Sequence, residues 1–255
     1  MRSPPSSFGS VLAGLASLLT LILGLLALGW VSWRLETIPD LSLPSWGAAD
    51  APLVVVDAGH GGYDGGAVAN GIVEKTLSLQ LARLLQEELA EAGVRVLMTR
   101  STDRFLELEE RCQIAAEARA AAFVSLHLNT SSAPGVSGIE TYYSSHTGLV
   151  FGQVRGEPRK ARAAEALARL VQRRAVASVE AEDRGIKDSQ ILVVKRSPCP
   201  AVLVECGFLT NKEEANLLSR KSYQNQLVRG IREGVVEFLK GMPIPLPVGK
   251  MQLDY

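Results

Sequence analysis

Apolar residues recur along this chain in two alternating rhythms, short runs of strand length and longer stretches at helical spacing. Residues 53–58 read as a strand. Leu77, Leu81, Leu84, Leu85 and Leu89 then fall three or four apart, which predicts a helix over 74–92 that Gly93 closes. The alternation continues with a strand at 95–99, a helix at 106–119, strands at 122–128 and 138–143, and an alanine- and arginine-rich helix at 159–177. Strand signals at 191–195 and 201–205 and a last helix at 223–239 complete it. Strands alternating with helices predict an α/β fold, a mainly parallel twisted sheet of about six strands with helices on both faces. Residues 144–157 lack clear periodicity and read as a loop.

The amino-terminal pattern is different. Residues 11–33 are 23 positions without a charge, more than the roughly 20 that cross a bilayer core, and Trp30 and Trp33 stand where an aromatic belt would end such a span. The expectation is a single N-terminal transmembrane helix that places the rest of the chain outside the cytoplasm, in the periplasm or cell envelope, anchored to the inner or plasma membrane. A cleaved signal is the rival, with Ala27-Leu28-Gly29 as its small-x-small site. The expected organisation is a tail at 1–10, the anchor or signal at 11–33, a linker at 34–52, one folded domain at 53–241 and a proline-rich tail at 242–255.

Composition narrows the partners. The 255 residues include 27 basic and 27 acidic side chains, and no basic stripe is interleaved with aromatics, so nucleic acid is not an expected partner. Three cysteines make an odd count without metal-finger spacing, and they read as buried free thiols.

Chemistry gathers at three predicted strand ends. The run 53–56 leads into Asp57-Ala58-Gly59-His60-Gly61-Gly62, the strand from 122 runs into His127, and the run 201–204 ends on Glu205. In open α/β sheets ligands bind beyond the carboxyl ends of strands, so these side chains point to one rim. Two histidines and a carboxylate are a donor set for hydrolytic zinc, which takes three protein ligands and keeps a position for water. Glu74, in the first turn of the first helix, could reach the same rim or could merely favour the helix N-terminus. The glycines do not make a nucleotide loop: Asp64 stands where a third glycine should, and no Gly-Lys-Ser/Thr follows.

The ordered segments 56–67 (VDAGHGGYDGGA), Glu74-Lys75, 125–129 (SLHLN), 138–143 (GIETYY), 184–187 (RGIK) and 204–211 (VECGFLTN) resemble the zinc-dependent N-acetylmuramoyl-L-alanine amidases of the type 3 family, bacterial cell-wall hydrolases. The resemblance implies that His60, Glu74 and His127 are zinc ligands and that Glu205 is the catalytic glutamate. It implies hydrolysis of the amide joining N-acetylmuramic acid to L-alanine in peptidoglycan, with Zn2+ as cofactor. Asp57 and Asp64 are candidates to orient a ligand histidine through its second ring nitrogen. Asn129 and Arg184 are candidate substrate contacts. A proline common after the aspartate of the first motif is Gly65 here. Some relatives carry an inserted helix that plugs the zinc site until a protein activator binds, but 144–183 has room for one helix and a loop, so no plug is expected. Two other functions fit the residues: a catalytically silent peptidoglycan-binding module, for which a retained Glu205 would be superfluous, and a zinc carboxypeptidase acting within the stem peptide.

Overall fold

The computed structural model describes residues 50–146, 148–150, 153–155 and 158–242. Ten strands and six helices appear among them. In chain order they are β1 (Leu53–Ala58), β2 (Val68–Ala69), β3 (Ile72–Val73), α1 (Glu74–Glu91), β4 (Arg95–Met98), α2 (Leu108–Glu117), β5 (Ala122–Asn129) and β6 (Ile139–Tyr143). Then follow β7 (Gly148–Val150), β8 (Gln153–Arg155), α3 (Pro158–Val179), β9 (Asp183–Asp188), α4 (Leu192–Arg196), β10 (Ala201–Phe208), α5 (Lys212–Leu218) and α6 (Lys221–Gly241).

Six strands form the main sheet in the order β4-β1-β5-β10-β6-β9. All neighbours are parallel except β10 and β6. The expected mainly parallel six-stranded α/β sheet is therefore present. From β1 the chain crosses through α1 to β4 on one side, then returns through α2 to β5 on the other. This reversal opens a crevice beyond the carboxyl ends of β1 and β5, the usual ligand position in such sheets.

Period-two alternation assigns each strand residue to a face. Val54, Val56, Val124, Leu126, Val202 and Val204 pack with leucines of α1 and with α3 and α6. Val55, Phe123 and Leu203 pack on the opposite face with Cys112 and Ala115 of α2 and Val193 and Val194 of α4. Asp57, Ser125, His127 and Glu205 share the parity of this second group, so they emerge on the thinner α2/α4 face.

Three expectations change. The run 191–195 lies in helix α4 (Leu192–Arg196) from its second residue on rather than in a strand, and Val193 and Val194 are both buried, which adjacent positions achieve on a helix packed against a sheet. A short apolar run cannot be assigned by periodicity alone. The sixth strand is instead the charged edge strand β9, and the expected loop 144–157 contains the two-stranded ribbon β7–β8. Anchored localisation is withdrawn: among the described residues no helix is long and apolar enough to cross a membrane, and the candidate span at 11–33 lies outside them. The three cysteines are free and buried.

Candidate metal centre

His60 leaves β1 through Gly59 and adopts a left-handed backbone, φ +58°. A side chain on Gly59 would meet the His127 ring at 2.4 Å, and one on Gly66 would come within 2.6 Å of both Glu74 and His60. Only glycine lets these turns close so tightly around the two rings. The centroids of those rings are 4.9 Å apart.

Glu74 opens α1 and is buried, 4% exposed. Its Oε1 lies 3.0 Å from His60 Nε2 and 2.9 Å from His127 Nδ1. It also accepts from the Leu128 amide at 3.1 Å, while Oε2 accepts from the Ala67 amide at 2.8 Å. Burial would raise this carboxyl, but hydrogen bonds from His127 and His60 outweigh it and hold the group far below the usual carboxylate range. For His60, burial acts to lower the pKa, yet the hydrogen bond to Glu74 and then that to Asp64 carry it up to about 8. Asp64 Oδ2 meets His60 Nδ1 at 2.8 Å, fixing the ring so that Nε2 faces Glu74.

The donor atoms of His60, Glu74 and His127 all lie within 4.8 Å of one another. Ligands about 2.05 Å from a tetrahedral zinc would sit about 3.3 Å apart. The two contacts to Glu74 are within a few tenths of an ångström of that edge, and two imidazole nitrogens with a carboxylate oxygen are a donor set that could hold a metal ion of zinc's type.

Glu205 pairs in register with His127 of β5 and with Glu140 of β6. Its Oε2 is buried and has no hydrogen-bond partner among the described residues. Burial pushes the carboxyl up to about 7, with the His127 charge pulling it down and the charges of Glu74 and Glu140 adding to the rise.

The family model described as N-acetylmuramoyl-L-alanine amidase matches residues 54–237. The chain belongs to that amidase family. The N-acetylmuramoyl-L-alanine amidase LytC of Bacillus subtilis (strain 168) is 33% identical over 187 residues, 73% of this chain and 35% of that protein. An N-acetylmuramoyl-L-alanine amidase structure from Clostridium difficile 630 superposes with a TM-score of 0.69 at 33% identity, covering 76% of this chain and all of the other. The CwlD amidase from Clostridioides difficile, solved in complex with the GerS lipoprotein, gives 0.65 at 27% identity over 74% of this chain and 98% of its own. Family membership assigns hydrolysis of the amide between N-acetylmuramic acid and L-alanine, with peptidoglycan as substrate.

The remaining predicted residues of the amidase occupy different positions. Among the described residues the polar partners of Asp57 are not histidines: it accepts from Thr99 and Ser125 at 2.6 Å each and pairs with Arg111 at 2.8 Å, because its parity turns it toward α2. Arg111 also donates to the His60 carbonyl at 2.9 Å, so Asp57 bears on the histidine backbone through that arginine. Asn129 and Arg184 both bond Glu140, at 2.8 and 3.0 Å. Glu140 also accepts from Tyr142 at 2.6 Å and from Lys187. This buried carboxylate organises the β6–β9 side of the site, and the sequence reading passed over it. A signal was available: one acid in an apolar strand needs partners once buried.

Proposed function

We propose that the domain 53–241 hydrolyses the muramoyl–L-alanine amide with zinc held by His60, Glu74 and His127 and with Glu205 as the proton-transfer residue. The carrying observation is the unpartnered buried oxygen of Glu205, in register beside His127. A buried acceptor without a partner is costly, and the cost is intelligible if a reacting water supplies the missing hydrogen bond. When bound, zinc would supply polarisation of the scissile carbonyl and acidification of a water toward a pKa of about 7.

The chain's own residues divide the remaining work. Asp64 holds the His60 ring through Nδ1. Glu74 is ionised under all ordinary conditions, as its depressed pKa requires. Glu205, raised to about 7 by burial, stands near the balance point at which a carboxyl can accept a proton from water and return it to the departing alanine nitrogen. Arg184 and Lys187 both pair with Glu140, and Arg184 also lies 3.8 Å from Glu182, so the cluster is balanced in charge and offers a stem-peptide carboxylate the remaining N–H donors of Arg184 and Lys187. Asn129 supports that cluster through Glu140. Between 144 and 183 the described residues hold the β7–β8 ribbon and α3, which favours activity without an added protein. A lipoprotein partner such as that of CwlD is the second reading, supported by that complex.

Digestion of purified peptidoglycan followed by mass spectrometry of the new ends tests the proposal. New free L-alanine amino termini are expected without any activator. Shortened stems would point to a carboxypeptidase, and retained binding without cleavage to a binding module. Glu205→Gln should lose about 100- to 10,000-fold in kcat while keeping stoichiometric zinc.

A further inference from the structure

Tyr63 is the most exposed large apolar side chain among the described residues, at 82%, and it stands three positions beyond His60. Scattered exposed apolar residues are ordinary. This one is built into place. Gly61 and Asp64 exchange backbone hydrogen bonds of 2.9 and 3.2 Å, so Gly62 and Tyr63 form the tip of a tight turn. The tip is tied down by Lys75, which donates to the Gly62 carbonyl at 2.7 Å, and by Asp103, which accepts from the Gly62 amide at 2.8 Å and pairs with Lys75. The Tyr63 ring stacks on Phe105 with centroids 4.2 Å apart and planes 28° from parallel. One face is covered, and the other is left to solvent on a rigid support.

Phe105 in turn lines a cavity of about 310 Å³ that contains His60 and His127, with Leu106, Leu108 and Val193 as its apolar wall. The sheet order sets polarity across this site. Tyr63 and Phe105 follow β1 and β4 at one end of the sheet, while Glu140, Arg184 and Lys187 belong to β6 and β9 at the other. The substrate has the same asymmetry. Its stem peptide carries carboxylates, whereas the muramyl sugar, with its lactyl carboxyl tied up in the amide, is neutral and presents C–H groups on its pyranose faces. Such a face packs on the electron-rich face of an aromatic ring, and a pre-set ring loses little entropy on binding.

We propose that Tyr63, held on Phe105, is a sugar platform that takes a pyranose of the glycan strand and directs the stem peptide toward the polar β6–β9 end of the sheet. This rests on the amidase reading of the same site. The test compares the full chain with Tyr63→Ala and Tyr63→Phe on two soluble substrates: a GlcNAc–MurNAc muropeptide and a D-lactoyl peptide with the same stem but no sugar. Tyr63→Ala should raise KM for the muropeptide about tenfold with kcat within about twofold, and should leave kcat/KM on the lactoyl peptide unchanged. Tyr63→Phe should match the wild type on both. Equal losses on the two substrates, or no change on the muropeptide, would overturn the platform.

A second measurement needs no turnover. Titration of a stem-free GlcNAc–MurNAc oligosaccharide by calorimetry should give a Kd about tenfold weaker for Tyr63→Ala than for wild type. Equal or absent binding in both would also overturn it. Failure of the wild type to cleave either substrate while still binding the glycan would sink the amidase reading and leave the platform standing.

Discussion

Two imidazoles converge on a single oxygen, Glu74 Oε1, at 3.0 and 2.9 Å. At residue scale this makes geometry, more than the identity of the donors, the quantity open to test. Asp64→Ala removes the acceptor at His60 Nδ1 and frees the ring to rotate; zinc affinity should fall about 10- to 100-fold, read by competition with a chelator. Gly59→Ala attacks the other histidine. Its new methyl carbon would lie 2.4 Å from the His127 ring, so the ring must move off the Glu74 oxygen. The purified variant should retain its far-UV circular dichroism yet carry well under one zinc per chain. Full occupancy would mean that the His127 position is not what the metal needs.

At the scale of elements, α2 and β1 are locked by a buried pair that also reaches the site. Arg111 is 3% exposed and Asp57 1%, and the arginine donates to Asp57 and to the carbonyls of Ala58 and His60. Breaking such a pair from one side leaves an uncompensated buried charge, so Asp57→Ala should cost about 3–5 kcal/mol in urea unfolding. A loss below about 1 kcal/mol would show that water reaches Arg111. The strands that carry the ligands were legible in the sequence as short continuous apolar runs, and the carboxyl-end rule of open α/β sheets puts His60, His127 and Glu205 on one rim. Strand β9, Asp183–Asp188, was not legible, since it is an edge strand rich in charge and glycine, with no buried face to impose a pattern. With β9 unseen, the partners of Glu140 were unseen too. Asp57 reads in the sequence as a candidate to orient a histidine because its place beside the motif is visible, whereas its partner Arg111 stands 54 positions away on α2.

For the whole molecule, proton binding and metal binding pull in opposite directions. His60 is raised from 6.5 to about 8 and Glu205 from 4.5 to about 7, so the folded metal-free protein holds both protons more tightly than the unfolded chain. The stability each contributes is fully present below its unfolded pKa and is lost as pH rises through the folded one. Glu74 has the reverse sign: its pKa is depressed, so its contribution is present above 4.5 and disappears on acidification. From these three groups the metal-free protein should be most stable near pH 4.5, where the Glu74 gain gives way to the Glu205 loss, and weaken toward pH 8. Zinc needs the His60 ring unprotonated, so rising pH, which weakens the metal-free state, favours the metal-bound one. Thermal unfolding from about pH 6 to about pH 8.5 should show Tm falling in chelator-treated protein and holding in zinc-saturated protein, so that the gap widens. Glu205→Gln should flatten the metal-free decline, because the amide has no proton to lose. A constant gap across that range would mean that His60 does not exchange a proton for the metal, and would remove it from the ligand set.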